Sequence, residues 1–263
     1  MYKSLLNYQE FFGNNVKKKN IIFLAHGLFG SKRNWINTAK LLSEELEQNV
    51  VALDLRNHGY SFWSDSHDYK SLAEDLIRLA DHYGNKVDLV GHSMGGKAAM
   101  SACLSNSEKF DKLVVVDIGP VTYSHIEFEL YIEAMKNIDL CKMQSRSQVD
   151  QQLEFSVPNK QIRDLLLQNI FRKKEGNYNW KINLNSLKKN VGEILSFPKY
   201  QSKFLGQTLF FKGQQSSYIS KDAIIEINKY FPQNKIKEIK QAGHWLHIDQ
   251  PNIFRKELIE FLR

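Results

Sequence analysis

In Val90-Gly91-His92-Ser93-Met94-Gly95-Gly96, one side chain, the Ser93 hydroxyl, is set up to act as a nucleophile. An apolar run, Lys86-Val87-Asp88-Leu89-Val90, enters the stretch, and a helix-favouring run, Lys97-Ala98-Ala99-Met100-Ser101-Ala102, leaves it. Strand, sharp turn and helix lift a serine hydroxyl out of the backbone at the top of an α/β sheet. Gly91 and Gly95 lack Cβ atoms, so strand and helix can approach closely around a turn that strains Ser93. The N-terminus of the following helix aims N–H groups and a partial positive charge at a developing oxyanion. The chemistry this implies is acyl transfer through a covalent serine intermediate, which needs a base and an orienting acid elsewhere in the chain.

The chain has eight histidines. His244 follows a glycine in the loop Gln241-Ala242-Gly243-His244-Trp245-Leu246-His247, after the last expected strand and before the last expected helix. That position suits the base in the chain order nucleophile, acid, base. His247 competes for the role but stands nearer the closing helix. His92, beside the nucleophile, is expected to pack, His26 to brace the turn it precedes, and His58 to buttress the loop after Asp54. His67, His82 and His125 carry no signal.

The acid is less obvious. The stretch after the penultimate strand, Gly213-Gln214-Gln215-Ser216, ends in a serine, which cannot carry the charge that stabilises an imidazolium. Asp222 falls at the start of a helix, where compensation of the helix dipole explains it. Asp54 also ends a strand, but on the other side of the nucleophile, and is read as a brace. Asp117 ends the strand just after the nucleophile helix, at the carboxyl edge of the sheet, and is the expected acid. Ser216 is then a fourth member, bonded to Asp117 or His244. The oxyanion hole is expected from the backbone N–H groups of Met94 and Leu28, with Gly27 letting the backbone come close.

These residues need a sheet to hold them. Short apolar runs at 21–25, 50–54, 86–90, 113–117 and 208–213 read as buried strands, with a first strand at 3–9 and an edge strand at 235–240. Helical patterns fall between them at 35–47, 69–83, 93–106 and after Ser220, and Pro251 opens a closing helix that runs through residues 253–262. Alternation of strand and helix argues an α/β fold with a mostly parallel, doubly wound sheet. From 121 to 203 the pattern turns helical, polar and aromatic, with no strong strand. That segment is expected to be an inserted helical cap on a core of residues 1–120 and 204–263, since no crossover needs so long a connection. It carries the aromatics Tyr123, Phe128, Tyr131, Phe155, Phe171, Tyr178 and Trp180, and some of these seven are expected to face the nucleophile as the wall of an apolar acyl tunnel.

The chain of 263 residues, 42% of them hydrophobic, is long enough for one well-buried domain with an insertion. The net charge of +7 is spread over short clusters such as Lys17-Lys18-Lys19, Arg172-Lys173-Lys174 and Lys188-Lys189. No basic stripe interleaved with aromatics appears, so nucleic acid is not an expected partner. The two cysteines, Cys103 and Cys141, match no metal spacing, and neither metal nor cofactor is expected. Residues 1–10 lack a signal-peptide core, and no run approaches membrane-spanning length. A soluble cytoplasmic protein without stable membrane insertion is expected, acting on a small molecule.

Taken together, the chain resembles an α/β-hydrolase of the YbfF-type esterase subfamily. The stretches that carry the likeness are His26-Gly27-Leu28-Phe29-Gly30-Ser31, Asp54-Leu55-Arg56-Asn57-His58-Gly59-Tyr60-Ser61, Gly91-His92-Ser93-Met94-Gly95-Gly96-Lys97-Ala98, Val116-Asp117-Ile118-Gly119-Pro120 and Ala242-Gly243-His244-Trp245-Leu246-His247. They span nearly the whole chain except the cap. The resemblance implies an α/β-hydrolase fold and a serine esterase acting on short- to medium-chain acyl esters, with acyl thioesters such as acyl-CoA as an alternative. It also implies the acid at Asp117 and the accessory serine at Ser216. A ligand-binding protein that keeps the fold without turnover is the reading from another class.

Overall fold

The computed structural model describes residues 4–13, 20–124, 127–173 and 175–263. Lys3 of the expected first strand, Lys17–Lys19, Lys174 and His125 lie outside the described residues. In chain order the first half contains β1 (Asn7–Phe11), β2 (Ile21–Ala25), α1 (Ile36–Leu46), β3 (Val50–Asp54), α2 (Tyr69–Tyr83), β4 (Val87–His92), α3 (Met94–Ser105) and β5 (Phe110–Val116). Then come α4 (Glu127–Lys136), α5 (Arg146–Glu154), α6 (Lys160–Leu167), β6 (Ile170–Arg172), β7 (Tyr178–Trp180), α7 (Leu184–Lys189) and α8 (Val191–Leu195). The chain closes with β8 (Thr208–Gly213), α9 (Lys221–Tyr230), β9 (Asn234–Ile239), α10 (Leu246–Asp249) and α11 (Pro251–Leu262).

Seven strands form one sheet in the order β1-β3-β2-β4-β5-β8-β9, all parallel except β1. Every residue of β2, β3 and β4 is buried, as continuous apolar runs covered on both faces must be. Alternate side chains go to opposite faces. Ile22 and Leu24 join Val90, Val114 and Phe211 in the core under α1 and α11, while Phe23 joins Leu53, Leu89 and Val115 in the core under α2 and α3. β4 lies at the centre, so its carboxyl end opens where ligands bind in sheets of this kind.

The structure adjusts several sequence expectations. β1 falls at residues 7–11 rather than 3–9, because its antiparallel register is fixed by β3, from Asn7 opposite Asp54 to Phe11 opposite Val50. α11 begins at Pro251 as expected, with the proline in the first turn, where its missing N–H costs nothing. The end of the loop carrying His244 coils into the four-residue α10. Among the described residues, the segment between β5 and β8 contains five α-helices and also a small antiparallel hairpin, β6–β7, that the sequence pattern does not reveal. Three-residue strands are too short to show a period of two, and Gly176, at φ 96°, turns the chain between them.

Candidate active site

Ser93 stands between β4 and α3 with φ 50° and ψ −118°, a conformation a non-glycine residue holds only when its surroundings enforce it. The Ser93 N–H donates to Val116 O at 3.0 Å, and the Ser93 carbonyl accepts from Lys97 N at 3.0 Å, starting α3. A Cβ on Gly91 would lie 2.3 Å from Gly95 O, and one on Gly95 would lie 2.5 Å from His26 O. Both positions therefore exclude any side chain, and the turn closes as the glycine spacing requires.

Asp117 lies one residue past β5, fully buried, at φ 52°. Its N–H donates to Phe211 O, which fixes the residue against the neighbouring strand β8. Its Oδ1 accepts from Gly213 N at 2.9 Å. Its Oδ2 accepts from His244 Nδ1 at 2.8 Å and also from the Ser216 hydroxyl. With Nδ1 donating, the neutral His244 ring presents Nε2 as its acceptor nitrogen. Ser93 and His244 line one cavity of about 390 Å³ beneath α4 and α6, with Trp35, Phe128, Tyr131 and Leu165 among its walls. The structure thus brings Ser93, Asp117, His244 and Ser216 together, although they come from four separate stretches of chain.

Leu28 and Met94 border the same site beside Ser93. Among the described residues neither of their N–H groups has an acceptor. The turn that carries Leu28 is braced from below. His26 donates from Nδ1 to Gly27 O at 2.8 Å and accepts from Leu55 N at Nε2. His58 accepts from Phe29 N and donates to Arg56 O, so it buttresses two loops rather than one. Asp54 is a brace as expected, holding Lys32 N, Lys32 Nζ and Tyr60 N. Asp222 sits in the first turn of α9.

Other histidines support the site from behind. His92 donates from Nε2 to His244 O at 3.0 Å, which holds the backbone of the His244 loop in addition to packing. His247 stacks on Trp35, with ring centroids 5.1 Å apart, and lies next to His92. His67 carries no signal in the sequence, yet its Nε2 points to Met94 Sδ at 3.3 Å and its Nδ1 accepts from Asn57 Nδ2. Two further residues escaped the sequence reading. Tyr218 stacks on His244 at 3.9 Å between ring centroids. Lys97 is buried with its ammonium on Leu195 O and Ser196 O, and burial pushes its pKa down to about 7. Lys97 follows the glycines of the Ser93 turn, but its partners come from a segment about a hundred residues away in sequence and leave no local pattern.

Burial lowers the pKa of His26, His58 and His92, and takes those of His67 and His247 down to about 3. These rings are neutral in the folded state and protonate readily once unfolded. The unfolded chain therefore binds more protons below the ordinary histidine value of 6.5, and stability present above that pH is lost as pH falls below it. Each such ring contributes up to about 1.4 kcal/mol of destabilisation per pH unit. The melting temperature is expected to drop steeply between about pH 6 and pH 4. A melting curve unchanged over that acid range would contradict the neutral, buried assignment of these rings.

Comparison with known proteins agrees with this architecture. Residues 20–251 match the alpha/beta hydrolase fold family. The chain is 40% identical over 250 residues to sn-1-specific diacylglycerol lipase ABHD11 of Danio rerio, covering 92% of this chain and 78% of that protein. It is 31% identical over 263 residues to a protein of Haemophilus influenzae that bears an esterase/lipase name, covering 100% of this chain and 90% of the other. A solved marine microorganism esterase superposes with a TM-score of 0.90 at 36% identity, covering 98% of this chain and 99% of that one. Among the described residues no helix is long and apolar enough to cross a membrane. The chain belongs to the α/β-hydrolase family of enzymes.

Proposed function

We propose that this enzyme is a serine carboxylester hydrolase of the YbfF-type esterase group, acting on short- to medium-chain acyl esters. The observation that carries the reading is the strained Ser93 opening into the same cavity as His244, whose Nδ1 is held by buried Asp117. Ser93 Oγ attacks the ester carbonyl as His244 Nε2 takes its proton. The carbonyl oxygen gains charge and is met by the N–H groups of Leu28 and Met94. His244 then gives the proton to the departing alkoxide, the alkyl–oxygen arm leaves as alcohol, and an acyl-Ser93 ester remains. Water, deprotonated by His244, attacks that ester, and the proton returns to Ser93 as the carboxylic acid departs. Asp117 orients His244 and stabilises the imidazolium formed in each half, and Ser216 supports Asp117. Residues 121–203 act as the cap over this core.

The names of the relatives, a diacylglycerol lipase and an esterase, support ester substrates. The cavity lining includes Glu127 and Asp164 and, among the described residues, no lysine or arginine. That lining suits uncharged esters better than the polyanionic CoA of an acyl thioester. Both cysteines are unpaired, Cys103 buried and Cys141 exposed, which supports a reducing, cytoplasmic setting. The test is a series of 4-nitrophenyl esters and CoA thioesters of increasing acyl length, compared as kcat/KM. Saturable turnover of the esters, with thioesters at least about tenfold slower, is expected. Binding without turnover would mark a ligand-binding member of the fold, and faster thioesters would mark a thioesterase.

A further inference from the structure

Two recesses meet at Ser93, and they differ about twentyfold in size. The larger, about 390 Å³, contains His244 and Trp245 in its wall. The smaller, about 20 Å³, is walled by Tyr69, Met94, Lys97, Tyr123 and Ile194, and His244 is not part of it. Leu28, Phe128 and Tyr218 border both, so Ser93 lies at the neck between them.

We propose that the small recess receives the acyl arm of the ester and the large cavity the alcohol arm. The preferred substrates are then acetyl- or propionyl-class esters of bulky, uncharged alcohols. This assignment rests on the serine ester hydrolase reading above and narrows it. An ester presents two arms from its carbonyl carbon, and the enzyme must tell them apart. The departing oxygen has to collect its proton from His244 Nε2, so the alcohol arm lies on the side that His244 faces. That side is the large cavity. The acyl arm is left with the recess beside Leu28 and Met94, where about 20 Å³ holds one or two methyl-sized groups.

The small recess is also held shut. Its cap-side wall is the end of α8, and four hydrogen bonds tie that end to the rest of the fold. Lys97 Nζ donates to Leu195 O at 2.9 Å and to Ser196 O at 2.7 Å. The Tyr69 hydroxyl donates to Ile194 O at 2.7 Å, and Tyr123 N donates to Leu195 O at 3.0 Å. Lys97 and Tyr69 are both buried, so moving the wall outward would strand a buried ammonium and a buried hydroxyl. A longer acyl chain cannot gain its room by shifting α8. Lys97 is in this respect a positioning residue for the acyl recess.

Hexyl acetate and ethyl hexanoate test the assignment, because they are isomers with the same atoms and similar apolar area but exchanged arms. Hydrolysis is followed by acid release at constant pH. The wild-type enzyme is expected to favour hexyl acetate by at least about tenfold in kcat/KM, since surplus methylenes in a closed pocket are strongly rejected. Ile194→Ala, which enlarges the small recess, is expected to cut that preference by about fivefold or more, by raising turnover of ethyl hexanoate. Ile194→Val is the milder change should the alanine variant fail to fold, and it should move the ratio in the same direction. Equal rates or a preference for ethyl hexanoate in the wild type overturns the assignment of the arms while leaving ester hydrolysis standing. A ratio unmoved in folded Ile194 variants overturns the role of the recess. If neither isomer is hydrolysed and 4-nitrophenyl acetate is also inert, the ester hydrolase reading fails, and the assignment with it.

Discussion

Ser93→Ala is expected to lower turnover of an activated ester by about 10⁴- to 10⁶-fold, the loss seen when a triad serine is removed from a hydrolase. The hydroxyl is the only atom lost, so the strained turn, the Ser93 N–H bond to Val116 O and the cavity should persist. Binding of substrate should therefore survive with little change in KM while kcat collapses. Residual rate over water should remain, because the N–H groups of Leu28 and Met94 still polarise the carbonyl. A fluorophosphonate should label the wild type at Ser93 alone. Labelling that continues in the alanine variant would identify another nucleophile and remove the assignment.

Asp117→Asn should lower kcat by about two to four orders of magnitude, and the hydrogen-bond pattern gives the reason. Among the described residues, each hydrogen-bond partner of the carboxylate is a donor: Gly213 N at Oδ1, and His244 Nδ1 together with the Ser216 hydroxyl at Oδ2. An asparagine must turn its NH₂ group toward one of these sets. If it faces His244, the ring is driven to the Nε2–H tautomer and can no longer accept the Ser93 proton. If it faces Gly213, two buried N–H groups oppose each other and the loop before Ser216 must shift. Ser216→Ala removes a single neutral donor and should cost about tenfold, since one such bond is worth on the order of 1 kcal/mol. Asp222→Asn should be nearly silent, because Asp222 only compensates the first turn of α9. The measurement is kcat on one activated ester for the three variants, with folding checked by thermal melting. A crippling Asp222→Asn beside a mild Asp117→Asn would move the acid to the segment after β8.

The sequence alone determined what depends on local chemistry. Continuous apolar runs marked the buried parallel strands, because a strand covered on both faces has no polar side to alternate with. The glycines around Ser93 announced the tight turn, because only a residue without Cβ fits where Gly91 meets Gly95 O. The serine at residue 216 cannot carry a charge, which left Asp117, at the carboxyl edge of the sheet, as the expected acid. The tertiary structure alone decided what depends on chain segments far apart in sequence. The register that placed β1 at residues 7–11 is set by β3, about forty residues on. The stack of Tyr218 on His244 and the grip of His67 on Met94 join residues with no shared period or motif. The size of the small recess at Ser93 depends on where α8 is tied down, through Lys97 and Tyr69 reaching carbonyls 98 to 125 residues away. A sequence records which groups can bond. Which of them meet, and how much room they leave between them, follows only from packing the whole chain at once.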